Sequence, residues 1–192
     1  SYDRAYDLMV RTQMLSELEE ALAYKLDFSD QPDRQATMRR IWMRRLEGCE
    51  LDVEVWQRIL SVRSIVLSPV DDTETWIKFA NLCRKSGRMV LAEKTLNSLL
   101  GPDVGAPVDA MGGPKAPPAV IYAHLKFMWA CGAHAESLSY LRDFTASLAE
   151  DLGLAGVDEN GSLVVPDVSA APRMADFARL LARCYFKLGE WQ

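Results

Sequence analysis

The sequence predicts an all-α protein, an α-solenoid of antiparallel helical hairpins with about nine helices. Apolar residues recur at helical spacing along most of the chain, and no alternating run is long enough to predict a strand. Residues 75–100 match a complete helix-turn-helix unit, TWIKFANLCRKSGRMVLAEKTLNSLL. Partial copies of this unit recur, as in solenoids built from stacked hairpins. We therefore expect residues 1–192 to form part of one solenoid that stops partway through a hairpin.

Two helices are predicted before residue 27. Residues 2–15 form the first, and four of them share one face, namely Ala5, Leu8, Met9 and Thr12. Ser16 and Glu19 match a capping box, in which a hydroxyl and a carboxylate bond the free N–H groups of a helix start. We therefore expect a second helix from Ser16 to Leu26, and we interpret the acid-rich stretch 16–20 as its solvated start.

Two more helices are predicted before residue 70. Pro32 lies in a predicted turn, after which apolar residues follow helical spacing up to Gly48, a residue type that favours a helix end. The next helix ends near Pro69. Its helically spaced residues are Val53, Trp56, Ile59, Leu60 and Arg63.

Residues 71–100 show the hairpin most clearly. Asp71, with Glu74 three residues later, is placed to cap the first helix, whose expected buried stripe is Trp76, Phe79, Ala80 and Cys83. Gly87 ends that helix, and the returning helix has an expected buried stripe of Leu91, Ala92, Thr95, Leu96 and Leu99. This spacing resembles the tetratricopeptide pattern, in which small residues let two helices approach closely.

Aligning the chain on the turn residue predicts three partial copies of this hairpin. Gly132 is the predicted turn of residues 121–148, and Gly189 is the predicted turn of residues 178–192. Ser16 takes the same place in the first hairpin. A glycine at such a turn supplies the positive φ angle that other residues adopt at a cost.

Two segments interrupt the hairpins. Residues 101–118 contain five prolines and four glycines, and residues 151–173 are rich in small and polar side chains. We interpret both as loops at hairpin junctions, with a docking loop as the alternative.

The composition excludes several classes of protein. The net charge of -5 gives no overall attraction to nucleic acid or to an anionic membrane, so any anion site must be local. No apolar stretch approaches the roughly 18 residues that span a bilayer, so membrane insertion is not expected. The cysteines form no CxxC pair and are expected to be reduced, buried and structural, as in a cytosolic protein. They are Cys49, Cys83, Cys131 and Cys184.

The sequence contains no pattern typical of a catalytic or metal site. A protein kinase needs a Gly-rich loop, an HRD segment and a DFG metal ligand, and the sequence has none of them. Gly112 and Gly113 lack the spacing of a phosphate-binding loop. The only histidines, His124 and His134, have no cysteine or carboxylate at ligand spacing. We therefore expect neither enzymatic activity from this chain nor a required cofactor.

Five cations occupy related positions before the turn glycines. Lys85 and Lys187 lie two residues before them, Lys126 and Arg183 lie six before, and Lys78 lies nine before. These offsets match i, i+3 and i+7, a single helical stripe that differs from the buried stripe. In a stack of hairpins the cations would converge on the concave wall and suit a polyphosphate or a carboxylate-rich segment. The alternative is an ordinary solvated face.

Four sequence blocks in the same order carry a resemblance to a known family. MLSELEEALAYKL, WQRILSVRSIVLSP, TWIKFANLCRKSGRMVLAEKTL and LARCYFKLGEWQ strongly resemble the FAT domain of target of rapamycin (TOR) kinases. The resemblance covers most of residues 1–100 and 119–148, together with 174–192. It implies a solenoid of TPR- or HEAT-like repeats wrapped around a kinase domain of the phosphatidylinositol-kinase-related group. ATP and Mg would bind only in that kinase domain of the parent.

The resemblance also implies a ligand and partners. Family members bind an inositol polyphosphate, typically the hexakisphosphate, through lysines and arginines of the FAT solenoid. The matching positions here are Lys78, Lys85, Lys126, Arg183 and Lys187. The implied partners are the kinase domain of the same parent chain and other TOR complex subunits. The implied location is cytoplasmic, with a parent that is peripheral on vacuolar or lysosomal membranes.

These observations lead to two hypotheses of function. The first is a regulatory scaffold that clamps the kinase domain and supports TOR complex assembly in growth signalling. The alternative is a free-standing tetratricopeptide-like module that binds an acidic peptide through the same basic face.

Overall fold

A computed structural model describes residues 2–100, 116–151 and 172–192, and these residues form eight helices and no strand. The helices are α1 (Tyr2–Leu26), α2 (Pro32–Gly48), α3 (Val53–Arg63), α4 (Thr73–Lys85), α5 (Met89–Leu100), α6 (Pro118–Ala130), α7 (His134–Asp151) and α8 (Pro172–Trp191). The all-α prediction is confirmed. The chain divides into a first unit, residues 1–116, and a second unit, residues 117–192. Most of the two predicted loops lies outside the described residues, and none of the described helices could cross a membrane.

The helix start predicted at Ser16 is wrong, because α1 is one continuous helix of 25 residues. Ser16 is exposed in its middle, and the next turns bury Glu17, Ala21 and Tyr24 against the rest of the first unit. Helical spacing of those three residues favours continuing the helix over capping it. The hairpin turn predicted at Ser16 is therefore also wrong, and the described residues contain one helix fewer than expected.

A buried ion pair joins α1 to α3 and contradicts the prediction that residues 16–20 are solvated. Glu17 is fully buried and accepts hydrogen bonds from Arg63 Nε at 2.7 Å and Arg63 Nη2 at 2.9 Å. The same Nη2 donates to the carbonyl oxygen of Trp42 on α2 at 2.9 Å. Nearby, Glu20 accepts from both guanidinium Nη atoms of Arg45 and from Trp42 Nε1. Two carboxylates thus link α1 to α2 and α3.

The α4–α5 hairpin follows the predicted pattern, with its start shifted by one residue. Asp72 precedes the helix, not Asp71, and its carboxylate accepts a hydrogen bond from the Thr75 hydroxyl at 2.7 Å. Most residues of the predicted stripes are buried in the hairpin, namely Phe79, Ala80, Cys83, Ala92, Thr95, Leu96 and Leu99. Gly87 has φ +74°, and the next amide bonds back to the Cys83 carbonyl at 2.8 Å, as predicted for a helix-ending glycine.

The second unit repeats this turn at one glycine and not at the other. Gly132 has φ +92°, and the amide of Ala133 bonds back to the Met128 carbonyl at 3.2 Å. Gly189, in contrast, lies inside α8, so the turn predicted there is wrong. A glycine within a helix costs only about 1 kcal/mol relative to alanine, which packing readily offsets. The α6, α7 and α8 helices share a core that includes Tyr122, Leu125, Leu141, Leu148, Leu181 and Cys184.

The cysteines are free thiols, and the prediction that all four are buried is wrong for Cys49 and Cys131. Cys83 and Cys184 are buried, and burial raises the pKa of each thiol to about 11. Cys49 is half-buried, whereas Cys131 is exposed where the chain turns after α6. The buried pair fits a structural role, whereas Cys131 is accessible to reagents.

Candidate basic site

The first unit places Lys78 and Lys85 on one face of α4. They lie seven residues apart, which is almost two helical turns, so their side chains leave the same side of the helix. Phe79, Ala80 and Cys83 are buried on another side, as predicted. Lys85 is exposed and makes no ion pair with the described residues.

Lys78 is already neutralised by two carboxylates. Its Nζ lies 2.6 Å from a Glu47 oxygen on α2 and 3.1 Å from a Glu74 oxygen one turn earlier on α4. The same nitrogen lies 3.5 Å from the sulfur of Met43. Partial burial lowers the pKa of Lys78, but the hydrogen bonds to Glu47 and Glu74 outweigh that effect and raise it overall. Lys78 therefore stays charged and joins α4 to α2.

A groove of about 520 Å³ in the first unit adds charges that the sequence interpretation missed. Its four cations are Arg39, Arg40, Arg44 and Lys78. Its four carboxylates are Glu47, Asp71, Asp72 and Glu74. Equal numbers of the two charges mean that the groove as a whole does not select an anion. The i, i+4 spacing of Arg40 and Arg44 on α2 is the sequence signal that could have located its cationic side.

In the second unit, Tyr122 contacts the side chain of Lys126 on α6 and the backbone of Arg183 on α8. The ammonium of Lys126 lies 4.7 Å from the centroid of the Tyr122 ring, a cation–π contact that holds the lysine in place. The hydroxyl of Tyr122 donates to the Arg183 carbonyl at 3.3 Å. The side chain of Arg183 is exposed and makes no ion pair with a described residue.

Lys187 lies one turn after Arg183 and is held by two neighbours on α8. Its Nζ is 2.7 Å from a Glu190 oxygen and 5.9 Å from the Trp191 ring centroid. Trp191 stacks on Trp129 with ring centroids 4.2 Å apart and an interplanar angle of 4°. Stacked indoles bury a large apolar area, so they fix the end of α8 against α6.

Each unit therefore presents its own part of the predicted basic stripe. Lys78 and Lys85 share a face in the first unit, and Lys126 and the backbone of Arg183 meet at one ring in the second. The convergence of all five cations on one wall stays a prediction. Among the described residues, no cluster of histidine, cysteine and carboxylate side chains could hold a metal ion.

Comparison with known proteins identifies the family. The family model of the FAT domain matches residues 1–192. The chain is 48% identical over 196 residues to serine/threonine-protein kinase TOR2 of Saccharomyces cerevisiae. It is 39% identical over 195 residues to tor1 of Schizosaccharomyces pombe, and 39% identical over 197 residues to mTor of Drosophila melanogaster. Each match covers the whole chain but only 7 to 8% of the relative's length.

Proposed function

Because the chain belongs to the FAT domain family, we propose that it is a scaffold segment of a TOR-like serine/threonine kinase. It clamps and positions the kinase domain of its parent and offers surfaces to other subunits of the TOR complex. The observation that carries this proposal is the match of the whole chain to TOR kinases of yeasts and an insect.

An exposed leucine stripe on α1 supports a docking role for the chain. Five leucines on one side of the helix are 37% to 70% exposed, namely Leu8, Leu15, Leu18, Leu22 and Leu26. Three of them repeat every seven residues, the spacing with which one helix packs along another. An apolar stripe that no described residue covers is typical of an interaction surface. We assign its occupant as a helix of the parent kinase.

The stripe can be tested in the full-length parent kinase with Leu15→Glu/Leu22→Glu. Both leucines are more than half exposed, so the variant should leave the unfolding of the 192-residue chain unchanged. In the parent it should lower the kinase activity and the recovery of complex subunits, because two charges would enter an apolar contact. Ser16→Glu, an exposed position on another face, is the matched control. Unchanged activity and assembly in the double variant would rule out this docking surface.

We further propose that the chain binds an inositol polyphosphate. The supporting observation is that Lys85 and Arg183 are exposed cations without ion pairs among the described residues, on helices that also carry Lys78 and Lys187. A ligand with several phosphates can neutralise several cations at once, which a single carboxylate cannot do. Lys126 is the fifth proposed ligand.

Calorimetric titration of the chain with inositol hexakisphosphate tests this ligand. Lys85→Glu in the first unit and Arg183→Glu in the second should each weaken binding about tenfold or more, because each reverses a charge. Lys94→Glu, an exposed change on α5 outside the stripe, controls for net charge. Equal affinities in all three variants would contradict the assignment. Tight, sequence-dependent binding of an acidic peptide would favour a peptide-binding module instead.

A further inference from the structure

The connection between α3 and α4 presents an exposed serine that is followed by a proline. Ser68 is the only serine or threonine of the sequence with a proline, Pro69, directly after it. It lies in the non-helical residues 64–72, between the end of α3 at Arg63 and the start of α4 at Thr73. Ser68 is exposed, so its hydroxyl is accessible from solvent.

The neighbours of Ser68 hold it at the surface in a turn that can open. Leu67, just before it, is 5% exposed and packs in the core that α1 and α2 share, whereas Val70, just beyond the proline, is 58% exposed. The amides of Asp71 and Asp72 bond to the Ser68 carbonyl at 3.1 and 3.2 Å, near the long end of the hydrogen-bond range. The turn can therefore open locally while the leucine stays in the core.

We propose that Ser68 is a phosphorylation site for a proline-directed serine/threonine kinase, and that its phosphate loosens the connection between α3 and α4. Such kinases select proline after the serine because their substrate groove offers no acceptor for an amide hydrogen there, and proline has none. In the transfer, Ser68 Oγ bonds to the γ-phosphorus of ATP, the bond from that phosphorus to ADP breaks, and the hydroxyl proton passes to a base of the kinase. The proposal does not depend on the binding of an inositol polyphosphate.

The effect of the phosphate follows from the present partner of the hydroxyl. Ser68 Oγ donates to a carboxylate oxygen of Asp71 at 2.6 Å. Phosphorylation removes the donated hydrogen, so this bond is lost, and a charge of about −1.5 to −2 then faces the carboxylate and repels it. Asp71 makes no ion pair with a described residue that could offset this repulsion. The α4 dipole offers little compensation, because Ser68 lies five residues before Thr73 and the dipole acts within the first turn.

This connection joins the α4–α5 hairpin to the rest of the first unit. Beside it, the ion pair of Lys78 and Glu47 links α4 to α2, but these side chains are 36% and 50% exposed. An exposed pair contributes little to stability, so the hairpin depends on the turn and on buried apolar contacts for its position. Opening the turn therefore gives the hairpin more freedom of movement without unfolding it.

The site is tested by incubating the folded 192-residue chain with a purified mitogen-activated protein kinase, ATP and Mg²⁺, followed by mass spectrometry of its proteolytic peptides. We expect phosphate on Ser68, much slower transfer in Pro69→Ala and no transfer at that site in Ser68→Ala. Ser64 is the internal control, because it is exposed in the same connection but is followed by Ile65, and it should stay unmodified.

A synthetic peptide of residues 61–76, treated in parallel, separates the two ways in which the site could fail. Phosphate on the peptide but not on the folded chain would show that the turn hides Ser68. Phosphate on neither would show that the sequence is not a substrate. Either result overturns the proposed site.

Hydrogen exchange of the phosphorylated and unmodified chains tests the loosening. The amides of residues 70–73 should exchange about tenfold faster after phosphorylation, because bonds of the turn open, whereas the helices of the second unit should not change. In Asp71→Asn the acceleration should fall to about threefold or less, since the asparagine carries no charge. Equal exchange before and after phosphorylation would refute the loosening, and an undiminished effect in Asp71→Asn would refute repulsion by Asp71 as its cause.

Discussion

Arg63→Met should destabilise the first unit strongly, because it removes one partner of a buried ion pair and leaves the other in the core. The guanidinium and the Glu17 carboxylate are 3% and 0% exposed, and three hydrogen bonds hold them between α1, α2 and α3. Removing the arginine leaves the Glu17 carboxylate in the core without its cation and with the hydrogen bond from Gln13 Nε2 at 3.1 Å, whereas methionine keeps the apolar stem. Removing one partner of a buried ion pair lowers the free energy of unfolding by about 3–5 kcal/mol.

Arg45→Met is the matched control for this prediction. Its partner Glu20 is 21% exposed and Arg45 itself is 38% exposed, so water can replace the lost contact and the cost should be only about 0.2–1 kcal/mol. Urea unfolding followed by circular dichroism and tryptophan fluorescence measures both variants. Replacing both partners, Glu17→Leu/Arg63→Met, should recover part of the loss. Equal destabilisation by Arg63→Met and Arg45→Met would refute the reasoning.

Three other outcomes are expected. Gly87→Ala should lower the free energy of unfolding by about 1 kcal/mol, because φ +74° strains any residue that has a side chain. Gly189→Ala inside α8 should raise it by about 0.5–1 kcal/mol, and the urea midpoints of the two variants show both signs. A thiol reagent near neutral pH should label Cys131 rapidly and Cys83 only after unfolding, because burial raises the pKa of the Cys83 thiol to about 11; mass spectrometry of the labelled chain checks this. Burial raises the pKa of Glu20, but its bonds to an arginine and a tryptophan lower it below 4.5 overall. Its stabilisation is therefore present above that pH and lost as the pH falls through the lowered pKa, so Glu20→Gln should flatten the acid dependence of the urea midpoint.

Helical periodicity predicted the helices correctly where the residues that share one face of a helix are also the buried ones. The stripe of Phe79, Ala80 and Cys83 is buried as predicted, because a helix repeats one face every three to four residues. The helix start predicted at Ser16 failed because Glu17 pairs with an arginine 46 residues away. A capping box is a local signal, and no local signal reveals that distant partner. The turn predicted at Gly189 is wrong for a related reason, since a glycine permits a turn but does not require one.

Helical spacing located two lysines on one face of α4, but the sequence analysis did not pair them with carboxylates. Helical offsets correctly placed Lys78 and Lys85 on one face away from the buried stripe. The i, i+4 pairing of Glu74 with Lys78 was readable from spacing, as was the i, i+3 pairing of Lys187 with its glutamate. The contact from Glu47 was not, because Glu47 and Lys78 are 31 positions apart on two different helices, and spacing along one helix cannot reveal it.

The proposed polyphosphate site is tested most directly by the melting temperature of the 192-residue chain with and without inositol hexakisphosphate. A ligand that binds only the folded state stabilises it by about 2.7 kcal/mol at one hundred times its dissociation constant. We predict a rise of several degrees that Lys85→Glu and Arg183→Glu each reduce and Lys94→Glu does not. An unchanged melting temperature at saturating inositol hexakisphosphate would contradict the claim that this scaffold binds a polyphosphate.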